Sequence, residues 1–368
     1  MKLLIQTTMK KSVYKPGILL LTTFLLLPLG LFSQNEVSKE FHEEYTAQKG
    51  MTLDLNNRYG DIIVLTSEND QVIIDVKVTV RYPNKDKAEQ LLSYIDVQFS
   101  EGDDVISAKT VISDRFKFTG WSGDNRKFTI DYNVQMPEWL NLTLANKYGN
   151  TELDNLDGLV NINIKYGNLT ASIFSRENVK PLNTLYLAYG NASIEEAGWM
   201  NIEVRYCGNM SIEKSQALVI DSKYSKHRYG TTSSIVAEAK YDNFKIENIN
   251  NLVINTGYTD LNIGSLAKKF KFDGSYSGIN IDRVPAGFES IEVNSRYTGV
   301  KIGIDESASY ELDGKVSYGG LKFNDDNFKY SRRIVENNKT ETTGIVGSDE
   351  SPSSKVLVDS SYGTIRLN

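Results

Sequence analysis

The sequence predicts an all-β protein. It reads as a single-chain parallel β-solenoid, a right-handed β-helix of about 17–23 residues per coil, behind a β-rich N-terminal cap with one short helix. Three observations carry this: a tyrosine recurring at nearly constant spacing, period-two alternation of apolar residues before each tyrosine, and a small residue just after it. The tyrosines are Tyr59, Tyr148, Tyr166, Tyr189, Tyr206, Tyr224, Tyr241, Tyr258, Tyr276, Tyr297, Tyr318 and Tyr362. From Tyr148 to Tyr318 the gaps are 18, 23, 17, 18, 17, 17, 18, 21 and 21 residues. That period is too long for a coiled coil and too short for a helical pair, and it suits a repeat that buries its apolar face only by stacking on its neighbours. Right-handedness follows from the hand of parallel crossovers.

Within a unit, Ile162, Ile164 and Tyr166 share one parity, as do Ile202, Val204 and Tyr206. Period-two alternation is the signature of a half-buried strand, so the tyrosines are expected to face inward at the strand end. After the tyrosine the parity flips, and Leu169 and Ala171, or Leu261 and Ile263, become the apolar pair. Gly60, Gly149, Gly167, Gly190, Gly319 and Gly363 follow their tyrosines, which suggests a tight corner at the glycine. Stacking turns each column into a ladder. Arg58, Lys147, Lys165, Arg205, Lys223, Lys240 and Arg296 stand just before the tyrosine, and Asp154, Glu195, Glu213, Glu247 and Asp282 on the second strand. These rows read either as a charged binding strip or as a solvated sheet face.

The chain divides into five parts. Residues 1–33 read as an export signal: Lys10, Lys11 and Lys15, an apolar run from Ile18 to Leu27, then small or polar residues near Ser33. Residues 35–136 form the cap. It contains one tyrosine coil, a helix near Lys85 to Tyr94, and a hairpin of Ile95–Ile112 with Lys127–Gln135. The hairpin connection, Ser113–Arg126, holds Arg115, Phe116, Trp121 and Arg126, more aromatic and basic character than a repeat requires. Regular coils occupy 137–324, a charged Ser/Thr/Gly-rich flexible loop 325–354, and a terminal coil 355–368.

All basic residues of the first 33 (Lys2, Lys10, Lys11 and Lys15) leave with the signal, so the exported chain is more acidic than the formal −6 of the whole. That argues against nucleic acid as a partner. No second apolar run long enough to span a membrane follows the signal. The single cysteine, Cys207, has no internal partner for a disulfide.

The order of signal, interrupted β-rich opening, Met136-Pro137 entry, G-x-[ILV]-x-[ILV] coils, Gly/Ser loop and closing coil resembles the bacterial adhesin-like β-helix family of unknown function, similar in style to head-GIN domains. The resemblance covers essentially all of the exported chain. It implies an exported β-solenoid of the periplasm, the outer-membrane surface or the medium, and brings no catalytic residues.

The residues themselves suggest no enzyme, cofactor or metal. Only His42 and His227 are present, and no zinc, nucleophile-elbow or phosphate-loop motif occurs. A polysaccharide-active enzyme would need clustered carboxylates, for which Glu195 and Glu213 on adjacent coils are the candidates. His227 and Tyr229 replace aliphatic residues beside Lys226 and Arg228. They suggest either a ligand notch or an inward histidine bonded to nearby tyrosines. The expected function is a non-enzymatic binding or scaffold protein of the cell envelope, with a glycan or an envelope protein as partner. Arg115, Phe116, Trp121, Arg126, His227 and Arg228 are the candidate contacts. An envelope structural or signalling component is the alternative.

Overall fold

The computed structural model describes residues 35–118, 126–326 and 328–368, so the signal segment and Trp121 lie outside the described residues. The architecture is all-β, with one helix among the described residues. In the Tyr166 coil, Val160, Ile162 and Ile164 of strand Val160–Lys165 are buried, and Leu169, Ala171 and Phe174 of strand Leu169–Phe174 are buried opposite them. The first strand pairs in parallel with Asn141–Lys147 and Asn183–Ala188, the second with Thr151–Leu153 and Asn191–Arg205. Two parallel walls therefore run side by side with the apolar residues between them, as the repeat predicts.

The gap of 23 residues after Tyr166 leaves room for a return loop before Asn183. The coils between Tyr189 and Tyr276, of 17 or 18 residues, have none. In those the strand runs from one wall to the next, as in the 15-residue strands Asn191–Arg205, Asn209–Lys223, Lys226–Lys240 and Asn243–Gly257.

The tyrosines do not face inward. From Tyr148 on they are 41–59% exposed, and all twelve lie in the left-handed region, with φ between 52° and 69°. Alternation alone would place them inside, but a left-handed residue breaks the alternation at the tyrosine itself. The next residue then turns inward: Gly167, Cys207, Ser225, Asp242, Thr259, Ser277 and Thr298 are buried. The glycines are thus needed for close approach, and the positive φ belongs to the tyrosine. A Cβ on Gly167 would sit 1.8 Å from the carbonyl oxygen of Gly149 on the neighbouring rung.

The far end departs from sequence order. Ser354–Ser361 pairs in parallel with both Ser290–Arg296 and Tyr310–Ser317. Thr364–Leu367 likewise pairs with Gly299–Ile304 and Gly320–Lys322. The last coil of the sequence is therefore the last but one of the stack. Residues 325–354 are not the flexible loop expected. Phe328–Glu336 and Lys339–Val346 form an antiparallel hairpin, whose second strand pairs antiparallel with Tyr310–Ser317. Its inward row is Thr342, Gly344 and Val346, a β-prone pattern too poor in aliphatics to show as periodicity. The hairpin covers an edge that would otherwise stand open.

At the near end, Gln71–Tyr82 pairs antiparallel with Asn35–Thr46 and with Lys127–Pro137. Lys127–Pro137 then passes into parallel pairing with Ile62–Ser67, and Val105–Ile112 does so with Thr52–Arg58. The hairpin lies within Ile95–Ile112, so Ser113–Arg126 is not a hairpin tip. The strands before and after it belong to different walls: Val105–Ile112 pairs with Thr52–Arg58, which precedes the Tyr59 corner, and Lys127–Pro137 with Ile62–Ser67, which follows it. Helix Lys85–Leu92 forms as expected, with Asn84 capping it through the Lys87 amide and Ala88 and Leu91 buried.

Candidate functional site: the tyrosine edge

The corners stack, so the tyrosine rings stack. Centroids are 4.8–5.1 Å apart from Tyr59 to Tyr318, with planes within 15° of parallel. Spatial order is sequence order until Tyr297, then Tyr362, then Tyr318. Each ring covers its neighbours' faces, leaving edges and phenol oxygens outward. From Tyr148 on, no ladder hydroxyl has a hydrogen-bond partner among the described residues.

Two hydrogen-bond ladders hold the corners. In the early coils the Asn or Asp two residues past the tyrosine accepts from the next rung: Asn150 N–H donates to Asp61 Oδ1 (2.7 Å), Asn168 N–H to Asn150 Oδ1 (3.1 Å), and Asn191 N–H to Asn168 Oδ1 (3.0 Å). From Cys207 on, the inward small residue takes over. Cys207 N–H donates to Ser225 Oγ (3.1 Å), Ser225 N–H to Asp242 Oδ1 (2.6 Å), and Thr259 N–H to Ser277 Oγ (3.2 Å). Asp242 is the one carboxylate in that column. Burial pushes its carboxyl up to about 6, against the opposing pull of hydrogen bonds from Ser225, Ser222 and Lys240.

The basic row just before the tyrosines is continuous in register from Arg58 through Lys147 and Lys165, then past Ala188 to Arg205, Lys223 and Lys240. Lys147 Nζ lies over the Tyr148 ring at 4.7 Å, and Arg205 bridges Glu203 (3.1 Å) and Asp221 (2.9 Å). Beyond Lys240 this row turns to Gly257 and Ser275 before Arg296. On the other wall, four residues past the tyrosine (five in the Tyr206 coil), a second row changes the opposite way. It runs from Thr170, Ser193 and Ser211 to Arg228 and Lys245, and later to Lys301, Arg366 and Lys322. The tyrosines are thus bordered by positive charge for most of their length, first on one side and then on the other. Sequence columns contained both rows; only the position of the tyrosines, outside rather than inside, shows that the rows border an exposed edge.

The other sequence candidates are scattered. His227 is buried, its Nε2 at 2.7 Å from Ser222 Oγ, its Nδ1 at 2.9 Å from Tyr229 OH, and its ring 4.2 Å from that of Phe244. Burial lowers its pKa to about 3, so it is neutral. His227 is a satisfied core residue out of reach of a ligand, not the wall of a notch, and Lys226 and Arg228 on either side of it face out. Phe116 packs edge-on against Phe128 at 4.8 Å, and Arg126 sits 4.9 Å over the Tyr82 ring. Arg115 is exposed. Phe128 in turn meets Tyr59 at 5.1 Å, so the cluster of Phe116 and Phe128 joins the near end of the ladder. An open groove there is lined by Tyr59, Asp61, Arg81, Arg126, Phe128 and Tyr148. Glu195 and Glu213 are exposed on neighbouring rungs of the outer face, away from that groove. Among the described residues no group of three His, Cys, Asp or Glu is arranged to hold a metal ion.

No family model and no curated protein matches this chain. Among solved structures it is similar to a protein from Parabacteroides distasonis designated a "putative lipid binding protein", at 10% identity over 67% of this chain and 96% of that one, with a TM-score of 0.38. It is similar to a "putative adhesin" from Bacteroides fragilis, at 11% identity over 90% and 97% of the two chains, with a TM-score of 0.31. A second "putative adhesin", from Parabacteroides distasonis, matches at 11% identity over 90% and 97%, with a TM-score of 0.28.

Proposed function

We propose that this chain is an exported, non-enzymatic, adhesin-like β-solenoid of the cell envelope, coiled right-handed, that binds its partner along the tyrosine edge. The observation that supports this is a bulky aromatic residue in a left-handed backbone at every corner. Such a conformation costs a non-glycine residue roughly 1–2 kcal/mol. An aromatic stack contributes about 0.5–1.5 kcal/mol beyond the area it buries. The stack and the half-burial of each ring offset that strain, but neither needs a hydroxyl, and from Tyr148 on the ladder hydroxyls bond nothing among the described residues. Folding alone therefore gives little reason for a phenol rather than a plain ring at these corners. Strain repeated at an exposed surface points to use of that surface, and an unbroken row of phenols bordered by basic side chains is suited to recognition rather than to bond breaking. The neighbours' designation agrees with this reading.

The test uses the exported chain and the variant Tyr224→Asn/Tyr241→Asn/Tyr258→Asn, in which Asn keeps the corner conformation. The wild type is expected to co-sediment with purified envelope material and the variant to stay in solution with its thermal transition intact. Equal co-sedimentation would move binding to another surface.

A further inference from the structure

We propose that the partner is a linear polyanionic glycan, bearing carboxylate or sulfate groups, that lies lengthwise on the tyrosine edge across successive coils. This rests on the reading of the edge as the binding surface and adds the chemistry of what it binds. Three features of the edge narrow the ligand.

First, the ring faces are taken by neighbouring rings, with planes as close as 1° to parallel at Tyr224 and Tyr241. A neutral sugar or a nucleobase binds aromatic residues through their faces. Here the face is closed, and what remains is a line of hydroxyls and ring edges. Those give hydrogen bonds and direction, and they leave the main attraction to charge.

Second, the charge beside them is positive although the whole chain has a formal charge of −6. Lys223 and Lys240 stand on one side of the ladder and Arg228 and Lys245 on the other, all exposed, in the stretch where the two basic rows overlap. Lys223 and Lys240 make no ion pair among the described residues. Exposed acidic residues stand on the same walls, but two residues further from the edge (Asp221 and Glu238 on one side, Glu247 on the other), so the strips next to the tyrosines are basic and suit an extended anion. An anionic bilayer would also be attracted, but edge-docking on lipid relies on apolar side chains that enter the acyl boundary, and this edge offers phenols and charges.

Third, the edge is periodic. Rungs repeat at about 4.8 Å, the strand spacing, so twelve of them extend roughly 50 Å. An extended 1,4-linked pyranose chain, such as a polyuronate, advances by close to one strand spacing per sugar. It can therefore meet each rung with an equivalent group, and the shift of the basic row from one wall to the other allows it to cross the ladder obliquely.

Binding of the exported chain to polygalacturonate, dextran sulfate, neutral dextran, phosphatidylglycerol vesicles and single-stranded DNA tests this by calorimetry. The expected result is binding to polygalacturonate or dextran sulfate, weakened by salt, with affinity that rises with oligosaccharide length up to the span of the ladder. Lys223→Glu/Arg228→Glu/Lys240→Glu should weaken it by roughly tenfold or more, about the worth of one charge-assisted contact. Lys77→Glu, on the cap, should leave it unchanged. Equal binding of neutral dextran, preference for vesicles or DNA, or indifference to the triple reversal would each overturn the proposal. If the chain co-sediments with envelope material through Tyr224, Tyr241 and Tyr258 but binds neither polyanion, the ligand class is wrong and the binding edge stands.

Discussion

The ring of Tyr362 stacks 4.8 Å from that of Tyr297 and separates it from Tyr318, its successor in the sequence. The final coil of the chain lies as a wedge between two coils that precede it in sequence. Its strand Ser354–Ser361 supplies the partner for both Ser290–Arg296 and Tyr310–Ser317.

Deleting Ser354–Asn368 should therefore uncouple the Tyr310–Ser317 strand and the hairpin from the rest. Amide hydrogen exchange is expected to show loss of protection from Tyr310 through Val346, with the coils before Arg296 still protected. Unchanged protection in Tyr310–Ser317 would mean that this strand is held by something other than the last coil.

The left-handed corner makes a ranking among substitutions. Tyr258→Asn should cost about 1–2 kcal/mol, because relief of strain offsets only part of the lost stacking and ring burial. Tyr258→Val should cost about 2–4 kcal/mol, since a β-branched residue keeps the strain, adds to it and loses both stacks. Urea melts check the order, and Asn more damaging than Val would show that the corner is not strained.

The glycine column separates close approach from flexibility. Gly167→Ala places a Cβ 1.8 Å from the Gly149 carbonyl oxygen and should destabilise by about 2–4 kcal/mol, as overpacking against rigid backbone does. At Gly257 the nearest atom to a new Cβ is 4.0 Å away, so Gly257→Ala should be neutral to slightly stabilising.

Two buried groups push the pH dependence in opposite directions. Asp242 has a folded pKa of about 6 against the ordinary 3.8, so the folded state holds the proton more tightly. Its ionisation opposes folding above pH 6, and that opposition fades as pH falls from 6 towards 3.8. His227, lowered to about 3 from 6.5, does the reverse: its contribution is present above 6.5 and is lost as pH falls below it. Asp242→Thr matches the neighbouring corners and should raise stability at pH 7 by about 1–3 kcal/mol, with a smaller gain at pH 4. His227→Gln should weaken the loss below pH 6.5. Stability curves for the two variants that parallel the wild type across this range would refute both assignments.

Much of this architecture was legible beforehand. Alternation at Ile162 and Ile164, and again at Leu169 and Ala171, gave the two walls and their inward faces. The same alternation misled at Tyr166, because a parity count assumes extended backbone and one left-handed residue resets it. The hairpin of residues 325–354 escaped because Thr342 and Gly344 stand inward where periodicity looks for aliphatics. The placing of the last coil was not readable, since Tyr297, Tyr318 and Tyr362 head equivalent coils that could stack in more than one order. The candidate site suffered most from the parity error. Lys223 and Lys240 look like an ordinary solvated row while the tyrosines are thought to be buried, and His227 attracts notice although its partners lie inside.

Tyrosine modification by tetranitromethane, read by mass spectrometry with and without a bound polyanionic glycan, tests the central claim most directly. In the free protein the ladder tyrosines from Tyr148 to Tyr318 should be nitrated, while buried Tyr132 and Tyr229 stay unmodified. With glycan bound, consecutive rungs around Tyr224, Tyr241 and Tyr258 should be protected together. Ladder tyrosines that resist the reagent in the free protein, or that remain fully reactive under saturating glycan, would contradict the account.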